Sequence, residues 1–191
     1  KAEYIHFDVM DGDFVPNLTF GPKFISNVRK FSNKVFDVHL MINRVEKFLD
    51  DYIRAGSDII TFHIEINEDI ENIIKKIKAK GIKCGLAIKP KTSWSEIQPY
   101  LQLIDQVIIM TVEPGFGGQE FMNDQVDKIK NISNYIKLNN LRVGIEIDGG
   151  INFENGKTCV KAGANILVAG SFLFNQDDLI TATNTMSDKF N

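Results

Sequence analysis

Residues 3–17 read EYIHFDVMDGDFVPN, a strand-like run that breaks into a turn. Alternate side chains of a strand lie on opposite faces, so His6, Asp8 and Met10 share one face. Gly12 and Pro16 then disfavour any continuation of the strand. A histidine, a carboxylate and a thioether on one face are not typical of an apolar core. The run therefore predicts a strand that carries functional groups towards its C-terminal end.

Further runs along the chain have strand character, and the segments between them have helical periodicity. Several strand candidates are apolar throughout, which is typical of parallel strands covered on both faces. Regular alternation of strand and helix predicts a parallel sheet with helical crossovers. The strand candidates are residues 4–9, 35–42, 58–65, 83–89, 106–112, 142–148 and 166–171. Apolar residues recur at helical spacing in the sets Val45, Phe48, Leu49, Tyr52; Ile70, Ile73, Ile74, Ile77; and, less strictly, Phe121, Gln125, Ile129, Ile132, Ile136.

An open doubly wound sheet and a closed barrel both fit this alternation. The positions of the polar residues distinguish the two folds, because these residues occur within or just past the C-terminal halves of many different strand candidates. An open sheet gathers its ligand groups at one switch point, whereas a barrel collects them from all around one rim. We therefore predict an α/β protein, a (β/α)8 TIM barrel with seven βα units visible, in a single domain spanning residues 1–191.

Composition excludes several classes of partner. The 191 residues are 43% hydrophobic, enough for a core, and carry a formal net charge of -3 with a pI near 5.6. The slightly negative charge gives no sign of a basic surface for nucleic acid. No apolar run approaches the ~18 residues of a membrane span. Cys84 and Cys159 lie far apart without metal-finger spacing, which indicates buried thiols. We expect a reduced, cytoplasmic protein.

Four polar residues are candidate metal ligands. The run FDVHLMI places His39 on a strand, on the same face as Met41, and IEIDGG ends a later strand at Asp148. In a closed barrel these residues could converge with His6 and Asp8. Two imidazoles and two carboxylates suit one divalent transition metal, Zn²⁺, Fe²⁺, Mn²⁺ or Co²⁺. Each residue also has a simpler interpretation, since strand histidines often fill a core and an Asp before glycines often forms a turn.

Glycine-rich loops follow the three last strand candidates. They are EPGFGGQEF at 113–121, DGG at 148–150 and AGS at 169–171. Glycine allows the backbone to approach an anion closely and to point N–H groups at phosphate oxygens. Loops after the last strands of such barrels often bind phosphate. Glycine is also ordinary turn punctuation, but three such loops in succession predict a phosphate-bearing substrate.

The motifs HFDVMDGDFVPN, FDVHLMI, GLAIKP, MTVEPGFGGQEF and IEIDGGI together closely resemble the ribulose-phosphate 3-epimerase family of the pentose phosphate pathway. The likeness implies an isomerase that interconverts D-ribulose 5-phosphate and D-xylulose 5-phosphate, with Asp8 and Asp148 as acid/base residues. It also implies metal ligation by His6, Asp8, His39 and Asp148. By motif position, the phosphate and substrate contacts are Gly117, Gly118, Gly149, Gly150, Gly170, Ser171, Met10, Met41 and Met110.

The resemblance begins at what matches the family's second strand. A complete barrel of this family has eight units, so we expect about 30–40 residues before Lys1, the size of a strand and a crossover helix. We also expect a homo-oligomer, a dimer. Two other functions remain open: a 3-epimerase of a hexulose 6-phosphate, and a catalytically silent barrel that binds a sugar phosphate. A metal-independent phosphate barrel of tryptophan biosynthesis gives no reason for His6 and His39.

Overall fold

The computed structural model describes residues 2–190, which form a sheet of parallel strands alternating with helices. Its strands are β1 (Tyr4–Met10), β2 (Val35–Met41), β3 (Ile59–His63), β4 (Lys83–Ile88), β5 (Gln106–Met110), β6 (Gly144–Asp148) and β7 (Ile166–Val168). The helices are α1 (Pro22–Arg29), α2 (Val45–Arg54), α3 (Ile70–Ala79), α4 (Trp94–Ile97), α5 (Gln125–Leu138), α6 (Phe153–Ala162), α7 (Ser171–Phe174) and α8 (Leu179–Phe190), and a 3₁₀ turn (Gln98–Tyr100) follows α4.

The strands follow one another in chain order around a nearly closed barrel. Every neighbouring pair is parallel, so all the C-terminal ends meet at one rim. This confirms the predicted (β/α) barrel with seven visible units. Register matters for the site, because Asp8 on β1 lies directly opposite His39 on β2. Within residues 2–190, β1 and β7 each pair with a strand on one side only.

The core lies between the outer face of the sheet and the helices. Helix α3 shows why the core lies there. Its residues Ile73 and Ile77, at helical spacing, are fully buried against the strands. Burial of one such side chain stabilises the fold by about 1.5–3 kcal/mol. The side chain of Asp69 caps α3 by accepting a hydrogen bond from the backbone N–H of Asn72. None of the helices in residues 2–190 has the length and apolarity to cross a membrane.

The element boundaries differ from the predicted ones where loops leave the rim. Strand β7 ends at Val168 and not at residue 171, because Ser171 already begins helix α7. Strand β3 ends at His63, and the chain turns at Ile64 and Glu65. Helix α5 begins at Gln125, so Phe121 lies in the preceding loop. The polar residues of the rim lie at these strand ends, and their positions depend on the site and not on the strand pattern.

Candidate active site

The barrel brings together all four side chains that were predicted as metal ligands. One ligand atom from each of His6, Asp8, His39 and Asp148 lies within 4.8 Å of the other three. Oδ1 of Asp8 is 3.2 Å from Nε2 of His6 and 3.1 Å from Nδ1 of His39. Oδ2 of Asp148 lies 3.6 Å from Nδ1 of His39. Strands β1 and β2 supply three of these groups from adjacent positions, and β6 supplies the fourth.

The chemistry of this four-residue cluster fits a divalent transition metal. It offers two imidazole nitrogens and two carboxylate oxygens, a set that suits Zn²⁺, Fe²⁺, Mn²⁺ or Co²⁺. The second ring nitrogen of each histidine faces another polar side chain, as outer partners of metal-binding histidines do. The residue types and their closeness therefore fit a site for one ion.

Charges within the cluster shift its protonation equilibria strongly. Burial raises the pKa of Asp8, but the charge of His6 and hydrogen bonds from His39 and His6 outweigh it and leave this pKa below the usual range. Burial lowers the pKa of His39, but hydrogen bonds to Asp148 and Asp8 outweigh it and raise the pKa to about 9. The site thus favours positive charge between its carboxylates.

A buried polar layer, which was not predicted from the sequence, lies beneath the cluster. Nδ1 of His6 lies 2.7 Å from Oδ2 of Asp37. Gln106 donates from Nε2 to Asp37 at 3.3 Å and also to Oε2 of Glu146. Burial and the nearby charge of Asp37 raise the pKa of Glu146 to about 8. The raised pKa favours the protonated form of Glu146, which limits repulsion between the two buried carboxyl groups.

A second chain of polar contacts runs outward from His39. Its Nε2 lies 2.9 Å from Nε2 of His63, and Nδ1 of His63 lies 3.1 Å from Oε2 of Glu65. His63 is completely buried, and burial lowers its pKa to about 4, although the hydrogen bond to Glu65 opposes this shift. The structure thus places His63 against His39, a candidate ligand.

A cavity of about 380 Å³ opens above the cluster at the C-terminal rim. Asp8 and Asp148 line it, whereas His6 and His39 do not appear among its lining residues and are more deeply placed. Every residue that was predicted to contact phosphate or substrate also lines this cavity. These residues are Met10, Met41, Met110, Gly117, Gly118, Gly149, Gly150, Gly170 and Ser171.

Two of the cavity glycines are required by their surroundings. Gly149 has φ +125°, and a Cβ there would lie 2.8 Å from the backbone nitrogen of Val112. Gly150 has φ +66°, and a Cβ there would lie 2.8 Å from the backbone nitrogen of Phe121. Any side chain would force the backbone to move. Both glycines therefore keep this part of the cavity wall tightly packed and free of side chains.

The fold and the cavity define a (β/α)-barrel enzyme whose site lies at the C-terminal ends of its strands. Comparison with known proteins narrows this class. Residues 1–174 match the model of the ribulose-phosphate 3 epimerase family. A ribulose-phosphate 3-epimerase of Chlamydia pneumoniae is 41% identical over 93% of this chain and 79% of that protein. One of Bacillus subtilis is 40% identical over 93% of this chain and 82% of that protein.

The chain belongs to the ribulose-phosphate 3-epimerase family, an isomerase family. A solved structure supports the fold independently. The 3-keto-L-gulonate-6-phosphate decarboxylase of Vibrio cholerae superposes with a TM-score of 0.70 at 17% identity. The match covers 98% of this chain and 85% of that protein. At this identity the likeness concerns the barrel alone.

Proposed function

We propose that the chain is a ribulose-phosphate 3-epimerase that interconverts D-ribulose 5-phosphate and D-xylulose 5-phosphate in the pentose phosphate pathway. One observation carries the proposal: Asp8 and Asp148 line the same cavity and belong to the same cluster as two imidazole donors. The names of the curated relatives support the same reaction.

Two aspartates suffice for the proton transfers of this reaction. Epimerisation at C3 removes a proton from a carbon beside a ketone and returns one to the opposite face. Asp8 on β1 and Asp148 on β6 come from different strands, so their carboxyl groups can flank the carbon. The ionised aspartate takes the C3 proton, and the protonated one gives a proton to the other face.

His6, Asp8, His39 and Asp148 would hold one divalent ion, Zn²⁺, Fe²⁺, Mn²⁺ or Co²⁺. When bound, the ion supplies Lewis-acid stabilisation of the negative charge that develops on the enediolate oxygens. The residues that move protons are then also ligands, so their carboxyl groups stay fixed during the reaction. His6 and His39 complete the ligand set from below the cavity.

The other cavity residues have roles that follow from their chemistry. Met10, Met41 and Met110 present thioethers, which are polarizable and offer no exchangeable proton. They can pack on the planar enediolate and exclude water. The backbone N–H groups around Gly117, Gly118, Gly149, Gly150, Gly170 and Ser171 would bind the substrate phosphate.

The proposal is tested by following solvent deuterium during turnover. With D-ribulose 5-phosphate in heavy water, we expect one deuterium at C3 of the product and one equivalent of divalent metal per chain. Rates on a hexulose 6-phosphate, measured beside it, should be much lower. Absence of label at C3, or full activity in protein shown to contain no metal, contradicts the mechanism.

We also infer a cytoplasmic location and a homodimer, which the family resemblance suggests. Light scattering during gel filtration measures the molar mass directly. We expect twice the chain mass of 21.6 kDa. A monomer at the concentrations used in the assay contradicts the dimer and leaves the proposed reaction untouched.

A further inference from the structure

The contact chain from His39 through His63 to Glu65 is unusual because it joins two buried histidine rings. The ring centroids are 5.0 Å apart, the ring planes are inclined by 28°, and both side chains are fully buried. The contact chain from His39 ends at Glu65, whose Oε1 accepts a hydrogen bond of 2.7 Å from the backbone N–H of Lys89. Phe14 covers the ring of His63, with centroids 4.8 Å apart. Each member therefore has a fixed partner and little freedom to turn.

Donor and acceptor roles along this chain follow from its outer end. Burial raises the pKa of Glu65, but hydrogen bonds from His63, Thr92 and the backbone N–H of Lys89 outweigh it and lower the pKa to about 2. An ionised carboxylate only accepts, so Nδ1 of His63 must carry the proton. A neutral imidazole with its proton on Nδ1 has an acceptor at Nε2. The Nε2 of His39 must then be the donor across the 2.9 Å contact.

We propose that Glu65 and His63 are positioning residues that keep the proton of His39 on Nε2 and leave Nδ1 directed at the four-residue cluster. Nδ1 is the ring atom of His39 that lies 3.1 Å from Asp8 and 3.6 Å from Asp148. The inference rests on the proposed metal site, because Nδ1 is the ring nitrogen that would bind the ion in place of its own proton. Neither Glu65 nor His63 lines the cavity, so both act through His39.

The isosteric change Glu65→Gln reverses the roles. The Lys89 N–H can only donate, so the new amide must turn its oxygen to Lys89 and its NH₂ to Nδ1 of His63. His63 then carries its proton on Nε2, where it opposes the proton of His39. Outer partners of metal ligands typically contribute 10–100-fold in metal affinity. We expect Glu65→Gln to weaken Zn²⁺ binding by about 10–100-fold.

Two variants of His63 and one surface variant complete the design. His63→Gln keeps a carbonyl acceptor in reach of His39, so it should retain most of the Zn²⁺ affinity. His63→Leu keeps bulk but removes the acceptor, and it should lose affinity as Glu65→Gln does. Glu71→Gln makes the same chemical change on the exposed face of α3, where Glu71 pairs with Lys75, and should change nothing.

The measurements are Zn²⁺ affinity by chelator competition and ¹⁵N shifts of the imidazoles in the full chain, with and without Zn²⁺. We expect His63 to show a protonated Nδ1 and an unprotonated Nε2 in the wild type in both states, and the reverse in Glu65→Gln. Folding of each variant is checked by its amide spectrum.

The outcomes separate this inference from the proposed function. Two results would overturn the inference and leave the metal site standing. One is wild-type protein that binds Zn²⁺ but carries the proton of His63 on Nε2. The other is folded His63→Leu with unchanged Zn²⁺ affinity. Wild type that binds no Zn²⁺ contradicts the metal site, and the ¹⁵N shifts of His63 still test the positioning of His39.

Discussion

The two sides of the barrel interior differ sharply in chemistry. On one side, β1, β2, β3 and β6 carry histidines and carboxyl groups in continuous polar contact. On the other side, Ala87 on β4 and Ile108 and Met110 on β5 form a separate apolar cluster with Val112. The comparison shows that the four candidate ligands lie on β1, β2 and β6, while the side chains of the apolar cluster offer no exchangeable proton.

The difference also determines how each side contributes to the stability of the fold. Buried charges are expensive unless they are paired, so the polar side needs partners such as Asp37 for His6. The apolar side needs none and stabilises the fold by packing. We therefore expect substitutions on the polar side to change chemistry and metal binding, and substitutions on the apolar side to change stability.

The largest effect is expected from removal of a proton-transfer group on the polar side. Asp148→Asn and Asp8→Asn each remove an acid or base and a ligand oxygen, so turnover should fall by about 10²–10⁴-fold or more. Inhibitor binding through phosphate should persist, because the glycine loops are unchanged. The measurements are kcat and the inhibition constant of inorganic phosphate.

Asp127→Asn is the matched control for these two variants. Asp127 lies on the exposed face of α5 and pairs with Lys130. Its substitution should leave kcat within experimental error. A kcat near that of wild type in either Asp8→Asn or Asp148→Asn would remove the proposed distinction between the polar and the apolar side.

Metal removal is the second test of the polar side. A ligand that binds only the folded state at 100 times its Kd stabilises it by about 2.7 kcal/mol. Chelation should therefore lower both activity and Tm, and Zn²⁺, Mn²⁺ or Co²⁺ should restore them. His39→Ala should no longer respond to chelator, which makes it the control. A wild-type Tm that chelation leaves unchanged argues against an ion in the cluster.

The apolar side should show the opposite pattern. Ile108 is fully buried, and Ile108→Ala leaves a cavity that costs about 2–5 kcal/mol of unfolding free energy. Denaturant unfolding measures this loss, and chelator competition should give an unchanged metal affinity. Weaker metal binding without lost stability would mean that Ile108 itself supports the cluster, and the two sides would not be separable.

The sequence predicted the polar side only in part. Polar residues at alternate positions of the strand candidates identified His6, Asp8, His39 and Asp148, because parallel strands bring their C-terminal ends to one rim. The sequence did not predict the contact of His63 with His39, since a distance between two ring nitrogens depends on strand register and rotamers. Nor did it distinguish the buried layer below the cluster from ordinary polar positions.

The strand boundaries illustrate a similar limit. The alternation of strands and helices was enough to predict the barrel, because hydrophobic periodicity is a local property of the chain. Strand ends were less predictable. The apolar run of β7 continues through Ala169, but the strand stops at Val168, where the chain turns into the loop that lines the cavity. Boundaries at the rim depend on packing between loops that are distant in sequence.

The smallest effect is expected at Met110, where the apolar side reaches the cavity. Met110→Leu conserves volume and apolarity, so it should cost less than about 1.5 kcal/mol in stability and less than about tenfold in kcat. Met110→Gln has a similar length but buries an amide, at a cost of about 1–3 kcal/mol if it finds no partner. Its amide also brings exchangeable protons and water towards the reacting carbon. Comparison of the two variants by kcat and by denaturant unfolding separates shape from polarity. Equal kcat values for the Leu and Gln variants would show that the wall needs bulk alone, and the thioether would then have no part in protecting the enediolate.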